Sequence, residues 1–186
     1  TIRSLSIKVG LNVREWKKWL RPEEVYSRGY NEDTPLTQCD SFSVPNKAYV
    51  DVSAYTLNPA IRVWLFGYRT GLVNNWVEQG LNVTYSYYSV SKALLLAHWK
   101  DPDIYKYAYM GHGAAGNLTA IDGRNDVLEP DKYVPFGINE MQLIACETES
   151  RDFIWARNVS GRGLLVTVHG DLTTLTHDLR YSNGQP

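Results

Sequence analysis

The chain has 186 residues, 44% of them hydrophobic and 21% charged, which suits one soluble globular domain of ordinary size with or without an extension. A formal net charge of −1 and the lack of a basic run exclude a binder drawn to nucleic acid or anionic membrane by charge. No segment approaches the roughly 18 apolar residues that span a bilayer, and two cysteines, Cys39 and Cys146, make no disulfide framework, although a single bridge between them stays open.

Thr1-Ile2-Arg3 begins no signal peptide, and a start without Met is expected of a processed product or a piece of something longer, so localisation is left open. Ile7 to Leu20 reads as a short amphipathic helix stopped by Pro22, and Arg28 to Asn46 as loop, punctuated by Gly29, Asn31, Pro35 and Pro45. Lys47 to Ala54 alternates in the manner of a half-buried strand. These first 56 residues form an extension of unknown role, followed by one domain over 57–186.

From residue 60 strands and helices alternate. Ala60 to Phe66 reads as a strand closed by Gly67 and Gly71, and Leu72 to Val77 as a helix ended by Gly80. A strand over Val83 to Ser89 and a Leu-rich helix over Val90 to Trp99 follow. Ile104 to Met110 is a strand, Asn117 to Pro135 a polar, turn-rich excursion, and Glu140 to Ala145 another strand. A helix over Glu149 to Val159 and a buried strand over Leu164 to Val168 complete the pattern, which predicts an α/β fold: a mainly parallel sheet with helices on both faces.

Two strand ends carry reactive side chains. Ile104 to Met110 runs into Gly111-His112-Gly113, and the apolar run Met141 to Ile144 runs into Ala145-Cys146-Glu147-Thr148. A thiol and an imidazole at the C-terminal ends of two strands form a candidate nucleophile and base. A helix starting just after Cys146 and an imidazole beside it are expected to lower the thiol pKa. The bland alternatives are a cysteine that fills core space and a histidine that merely occupies a turn. His169, before Gly170, is a rival base. Cys39 reads as incidental, His98 as packed or surface, and His177 as solvated. The histidines and cysteines show no zinc spacing, no phosphate-binding loop occurs, and no cofactor is expected. The sequons at Asn82, Asn117 and Asn158 are discounted as chance triplets.

The segment Tyr107-Ala-Tyr-Met-Gly-His112-Gly113, a turn-rich stretch with Leu118 and Asp122-Gly123, and Leu143-Ile-Ala-Cys146-Glu-Thr148 together resemble the CHAT domain of caspase-like (clan CD) cysteine peptidases. The resemblance covers roughly residues 60–175 and is sharp at the two loops. It implies a caspase-like three-layer sandwich and limited cleavage of protein or peptide substrates, with Cys146 as nucleophile and His112 as its partner. It also implies an oxyanion site from the N–H groups of Gly113 and Cys146, each such donor being worth about 3 kcal/mol of barrier. Glu147, with Asp122, Glu149 and Asp126, would supply an acidic substrate-binding pocket, or else be solvated loop charges. Many CHAT sequences carry another His four residues before the catalytic one, where this chain has Ala108. The alternatives are a non-catalytic interaction module and a thiol amidase or deamidase using His169. An effector or toxin domain cut from a larger, delivered protein is compatible with the peptidase reading.

Overall fold

The computed structural model describes residues 45–123, 126–130, 138–172 and 178–182, without side-chain detail for 160–162 and 182. The chain divides into two compact units, Thr1–Pro45 and Asn46–Pro186. The helix expected over Ile7 to Leu20, most of the following loop, Cys39 and His177 lie outside the described residues.

The second unit is built on a six-stranded sheet of β1 (Lys47–Val52), β2 (Asn82–Tyr85), β3 (Ile104–Met110), β7 (Ile138–Ile144), β8 (Val159–His169) and β9 (Asp178–Ser182). Their order is β2-β1-β3-β7-β8-β9, with every pairing parallel except that of β8 with β9. Three short strands, β4 (His112–Ala114), β5 (Asn117–Thr119) and β6 (Val127–Leu128), form a small antiparallel sheet from the excursion that follows β3.

Helices cover both faces. Alternation along the strands sends Ala48, Val50, Val52, Ala108, Met110, Ile144, Val166 and Val168 to one side, where they pack with Ile61, Leu65 and Trp76 of helix α1 (Pro59–Glu78). Tyr49, Tyr107, Tyr109, Met141, Leu143 and Leu165 point to the other, against helices α2 (Lys92–Trp99) and α3 (Asp152–Trp155). There Trp99 meets Tyr107 and Trp155 edge to face, at centroid separations of 5.5 and 6.0 Å. The expected α/β class and its mainly parallel sheet are observed. None of the described helices is long and apolar enough to cross a membrane.

Four expectations are corrected. Ala60 to Phe66 is no strand: Pro59–Glu78 is one helix, begun by Asn58, whose side chain accepts from Ala60 N, with proline in its first turn. A short apolar run does not separate strand from helix. The spacing of Ile61, Leu65, Arg69 and Trp76, the buried positions, is helical, and Gly67 and Gly71 sit within the helix with open space where a Cβ would be. Lys47–Val52 is buried on both faces because it is an interior strand, although the sequence groups it with the N-terminal residues. Glu149 to Val159 is not a continuous helix but a 3₁₀ turn (Thr148–Arg151), the four-residue α3 and a second 3₁₀ turn (Ala156–Asn158), interrupted at Arg151 by φ −128°. The expected strand to Ser89 ends at Tyr85.

Beneath the α1 face lies a satisfied polar layer. Lys106 Nζ donates to Glu140 Oε2 at 2.6 Å and to Gln79 Oε1 at 2.7 Å, and Gln142 Nε2 donates to Glu140 Oε1 at 2.6 Å. Tyr68 O–H donates to Gln142 Oε1 at 2.7 Å. Glu140→Leu strands a buried ammonium and is expected to cost about 3–5 kcal/mol, whereas Lys106→Met/Glu140→Leu together recover most of that loss. Urea unfolding of the two variants measures the difference.

Candidate functional site

The strand order reverses at β1: β2 lies on one side of it, and β3, β7 and β8 follow on the other. In open α/β sheets such a reversal leaves a crevice at the carboxyl ends of the strands, where ligands bind. The segments leaving β1, β3, β7 and β8 at that edge carry Thr56, His112, Cys146 and Asp171.

His112 and Cys146 are delivered by neighbouring strands. The β3–β7 ladder pairs Met110 with Ile144 and is extended by Gly111 N–H to Ile144 O at 3.1 Å. Beyond it Gly113 lies directly on the cysteine backbone. A Cβ on Gly113 would collide with Cys146 O and stand 2.9 Å from Ala145 Cβ and 3.0 Å from Cys146 N. Gly111 is equally confined, since its Cβ would stand 2.6 Å from Tyr109 Oη and 2.9 Å from Ser53 O. Neither glycine has a positive φ. Both serve close approach of backbones rather than the sharp turn expected from the sequence.

The two reactive groups are not hydrogen-bonded to each other. The His112 ring is half-buried, shares a 2.7 Å hydrogen bond between Nε2 and Thr56 Oγ1, and has its pKa lowered by burial. The Cys146 thiol donates to Asp171 Oδ1 at 3.3 Å and accepts from Leu172 N–H at 3.2 Å. Burial raises its pKa, the Leu172 amide opposes that, and the Asp171 carboxylate adds to the rise. The depressed thiol pKa expected from a helix N-terminus is therefore overturned. Cys146 is succeeded by Glu147, in the left-handed region at φ 55°, and then by a 3₁₀ turn rather than an α-helix.

Thr148 fixes this loop from below. Fully buried, its hydroxyl hydrogen-bonds Leu143 O at 2.9 Å and Ala145 O at 3.1 Å and accepts from Val168 N–H at 2.9 Å, so it ties β7 to β8 under the cysteine. Glu147 Oε2 accepts from Ala115 N–H at 2.9 Å, and Glu147 N–H donates to Gly170 O at 3.0 Å. Ala115 and Gly116, at φ 50° and 79°, form the two-residue turn between β4 and β5.

The other candidates are placed apart. Asp122, at φ 58°, sits on the β1 side of the crevice, where its carboxylate accepts the Ser89 hydroxyl and its N–H donates to Ser53 Oγ at 3.0 Å. Glu147 is held on the β7–β8 side by Ala115 N–H and Gly170 O. His169 is largely exposed, with Nδ1 3.0 Å from Glu149 Oε1, and makes no hydrogen bond to Cys146. His98 is packed: its Nδ1 lies 2.9 and 3.0 Å from the oxygens of buried Asp51, and its ring stacks on Tyr49 at 4.1 Å. Asn158 is fully buried.

Thr56, Asp171 and the role of Thr148 do not emerge from the sequence reading. Asp171 comes after His169-Gly170 at a strand end, the same signal that marks His112 and Cys146. Thr56 is hidden because the sequence pattern groups β1 with the extension.

Gly113→Ala forces the Cys146 backbone to move and is expected to cost about 1–3 kcal/mol together with a loss of Cys146 alkylation selectivity. Thr148→Val leaves the Val168 N–H unpaired and is expected to cost about 1–3 kcal/mol. Thermal unfolding and iodoacetamide labelling with mass spectrometry check both.

Compared with protein-family models, curated proteins and solved structures, the chain matches none of them.

Proposed function

We propose that the chain is a cysteine-dependent endopeptidase of caspase-like, CHAT type that performs limited cleavage of protein substrates, with Cys146 as nucleophile and His112 as its proton carrier. The observation that carries this reading is the contact of Gly113 with the backbone of Cys146, which holds the imidazole loop and the thiol loop together at the crevice. The mainly parallel sheet and the helices on both its faces agree with a caspase-like sandwich.

At neutral pH the raised thiol pKa favours a Cys146 thiol and the lowered imidazole pKa a neutral His112. Substrate entry would draw the thiol from Asp171 and the ring from Thr56. Sulfur then bonds to the scissile carbonyl carbon while the imidazole takes the thiol proton. The N–H groups of Gly113 and Cys146 receive the developing oxyanion, and the imidazolium returns its proton to the departing amine nitrogen. Water attacks the thioester next, giving one proton to the imidazole, which passes it to the leaving thiolate.

One observation favours a second reading, a non-catalytic caspase-like interaction module. Thiol and imidazole are each held by another partner, Asp171 and Thr56. The amidase reading through His169 has less support, since that ring is engaged by Glu149.

A peptide-library assay decides between them. Cys146→Ala is expected to abolish cleavage and His112→Ala to lower kcat/KM by roughly 10²–10⁴, with His169→Ala close to wild type. A folded wild-type protein that cuts nothing favours the module, and loss on His169→Ala alone favours the amidase.

The pH dependence is set by the two shifts. Activity should persist to lower pH than an ordinary histidine permits, because the lowered His112 pKa keeps the imidazole neutral there. Iodoacetamide alkylation of Cys146 should rise with a midpoint above that of an ordinary thiol, because the thiolate is disfavoured. Asp171→Asn removes a nearby negative charge and is expected to lower that midpoint, which rate measurements across pH will show.

A further inference from the structure

Arg62 and Arg69 lie two turns apart on α1, about 10.5 Å along its axis. The Arg62 guanidinium donates to the Tyr88 hydroxyl and lies 5.9 Å from that ring's centroid. Arg69 stands among Phe66, Tyr87 and Tyr85, at 4.9, 5.4 and 5.5 Å, and its Nη1 donates to Tyr87 O. Among the described residues no carboxylate lies within ion-pair distance of either arginine, whereas Lys47, Lys106 and Arg180 each have one. The Tyr88 hydroxyl, the Tyr87 carbonyl and ring faces solvate the two cations.

The rings around them face outward, with Tyr55, Tyr85 and Tyr87 64%, 50% and 78% exposed. This surface is continuous with the crevice. Ala54 N–H donates to Tyr88 O at 3.1 Å, and Tyr55 meets the Tyr88 ring edge-on at 6.1 Å. The next residue, Thr56, holds His112.

We propose that this arginine–tyrosine face binds an acidic polypeptide segment, of which an Asp or Glu carboxylate pairs with the part-exposed Arg62 while its neighbouring side chains lie on Tyr55 and Tyr87, the buried Arg69 holding Tyr85 and Tyr87 in place. A guanidinium offers the planar fork that a carboxylate matches, and tyrosine gives broad contact at little conformational cost. The Asp122 carboxylate, tied to this segment, accepts the Ser89 hydroxyl rather than an arginine. Nucleic acid is the poorer fit: a charge on every nucleotide calls for a longer basic track than two arginines. Binding requires no bond to be cut, so the assignment stands apart from the peptidase reading.

The test uses the 186-residue chain carrying Cys146→Ala and fluorescence anisotropy. The probes are a labelled peptide of Glu, Ser and Tyr, the same peptide with Gln for Glu, and a labelled oligothymidylate. The Glu peptide is expected to bind roughly tenfold more tightly than the Gln peptide, to weaken in high salt, and to lose roughly tenfold on Arg62→Gln. Arg62→Lys should retain part of the affinity. Arg69→Gln, at a buried site, should weaken binding less than Arg62→Gln, and the Arg62 variants decide if it fails to fold. Equal affinity for Glu and Gln peptides, indifference to Arg62→Gln, or preferential binding of the oligothymidylate overturns the proposal. If acidic binding holds while the wild type cuts no peptide, the peptidase reading falls and this one stands.

Discussion

The arrangement at the crevice depends on the parallel pairing of β3 with β7. It sets Met110 beside Ile144, and every later feature of the two loops is counted from that register. A slip of one residue would turn every side chain on β7 to the opposite face, placing Leu143 against α1 and Ile144 beneath Trp155. The Lys106–Glu140 contact, which bridges these same two strands, gives a slipped register an unpaired buried charge. Because neither loop inserts a left-handed residue before its functional side chain, His112 and Cys146 leave the sheet as near-continuations of their strands. Gly113 can lie against the cysteine backbone only because it has no side chain.

Electrostatics distinguishes this site from a preformed thiolate–imidazolium pair. The negative group beside the sulfur is a carboxylate, and burial works on both titrating groups toward their neutral forms. A neutral thiol in a half-buried crevice reacts slowly with adventitious electrophiles. A ligand that engages the Asp171 carboxylate would remove its contribution to the raised thiol pKa.

The fold class is legible in the sequence because alternating strand and helix patterns report burial, which periodicity encodes directly. Ile104 to Met110 is bounded correctly, since a buried strand between Pro102 and Gly111 has little room to shift. Ala60 to Phe66 misleads because a seven-residue stretch that is apolar except for Arg62 suits either a buried strand or a helix, and the deciding cap, Asn58, lies just before it. At the site, the strand ends bearing His112 and Cys146 are visible as reactive residues next to apolar runs. The partners that govern their chemistry are not. Thr56 and Asp171 belong to other strand ends, and only the sheet order brings them within hydrogen-bonding distance. The opposite sign of the thiol shift has the same origin, since it depends on burial and on a carboxylate remote in sequence.

The tie from Glu147 to Ala115 adds a second link between the cysteine loop and the small sheet, beside the contact of Gly113 with the Cys146 backbone. Glu147 stands next to Cys146, and Ala115 forms the tip of the small sheet, whose adjoining Gly116 packs against Arg151 and accepts from Trp155 Nε1–H at 2.8 Å. The small sheet, the cysteine loop and the broken helical segment are therefore linked by hydrogen bonds and packing, and local opening of one is expected to loosen the others. Reshaping of the crevice by a bound chain would be registered in that hairpin, and an alteration of the hairpin would in turn be felt at the sulfur.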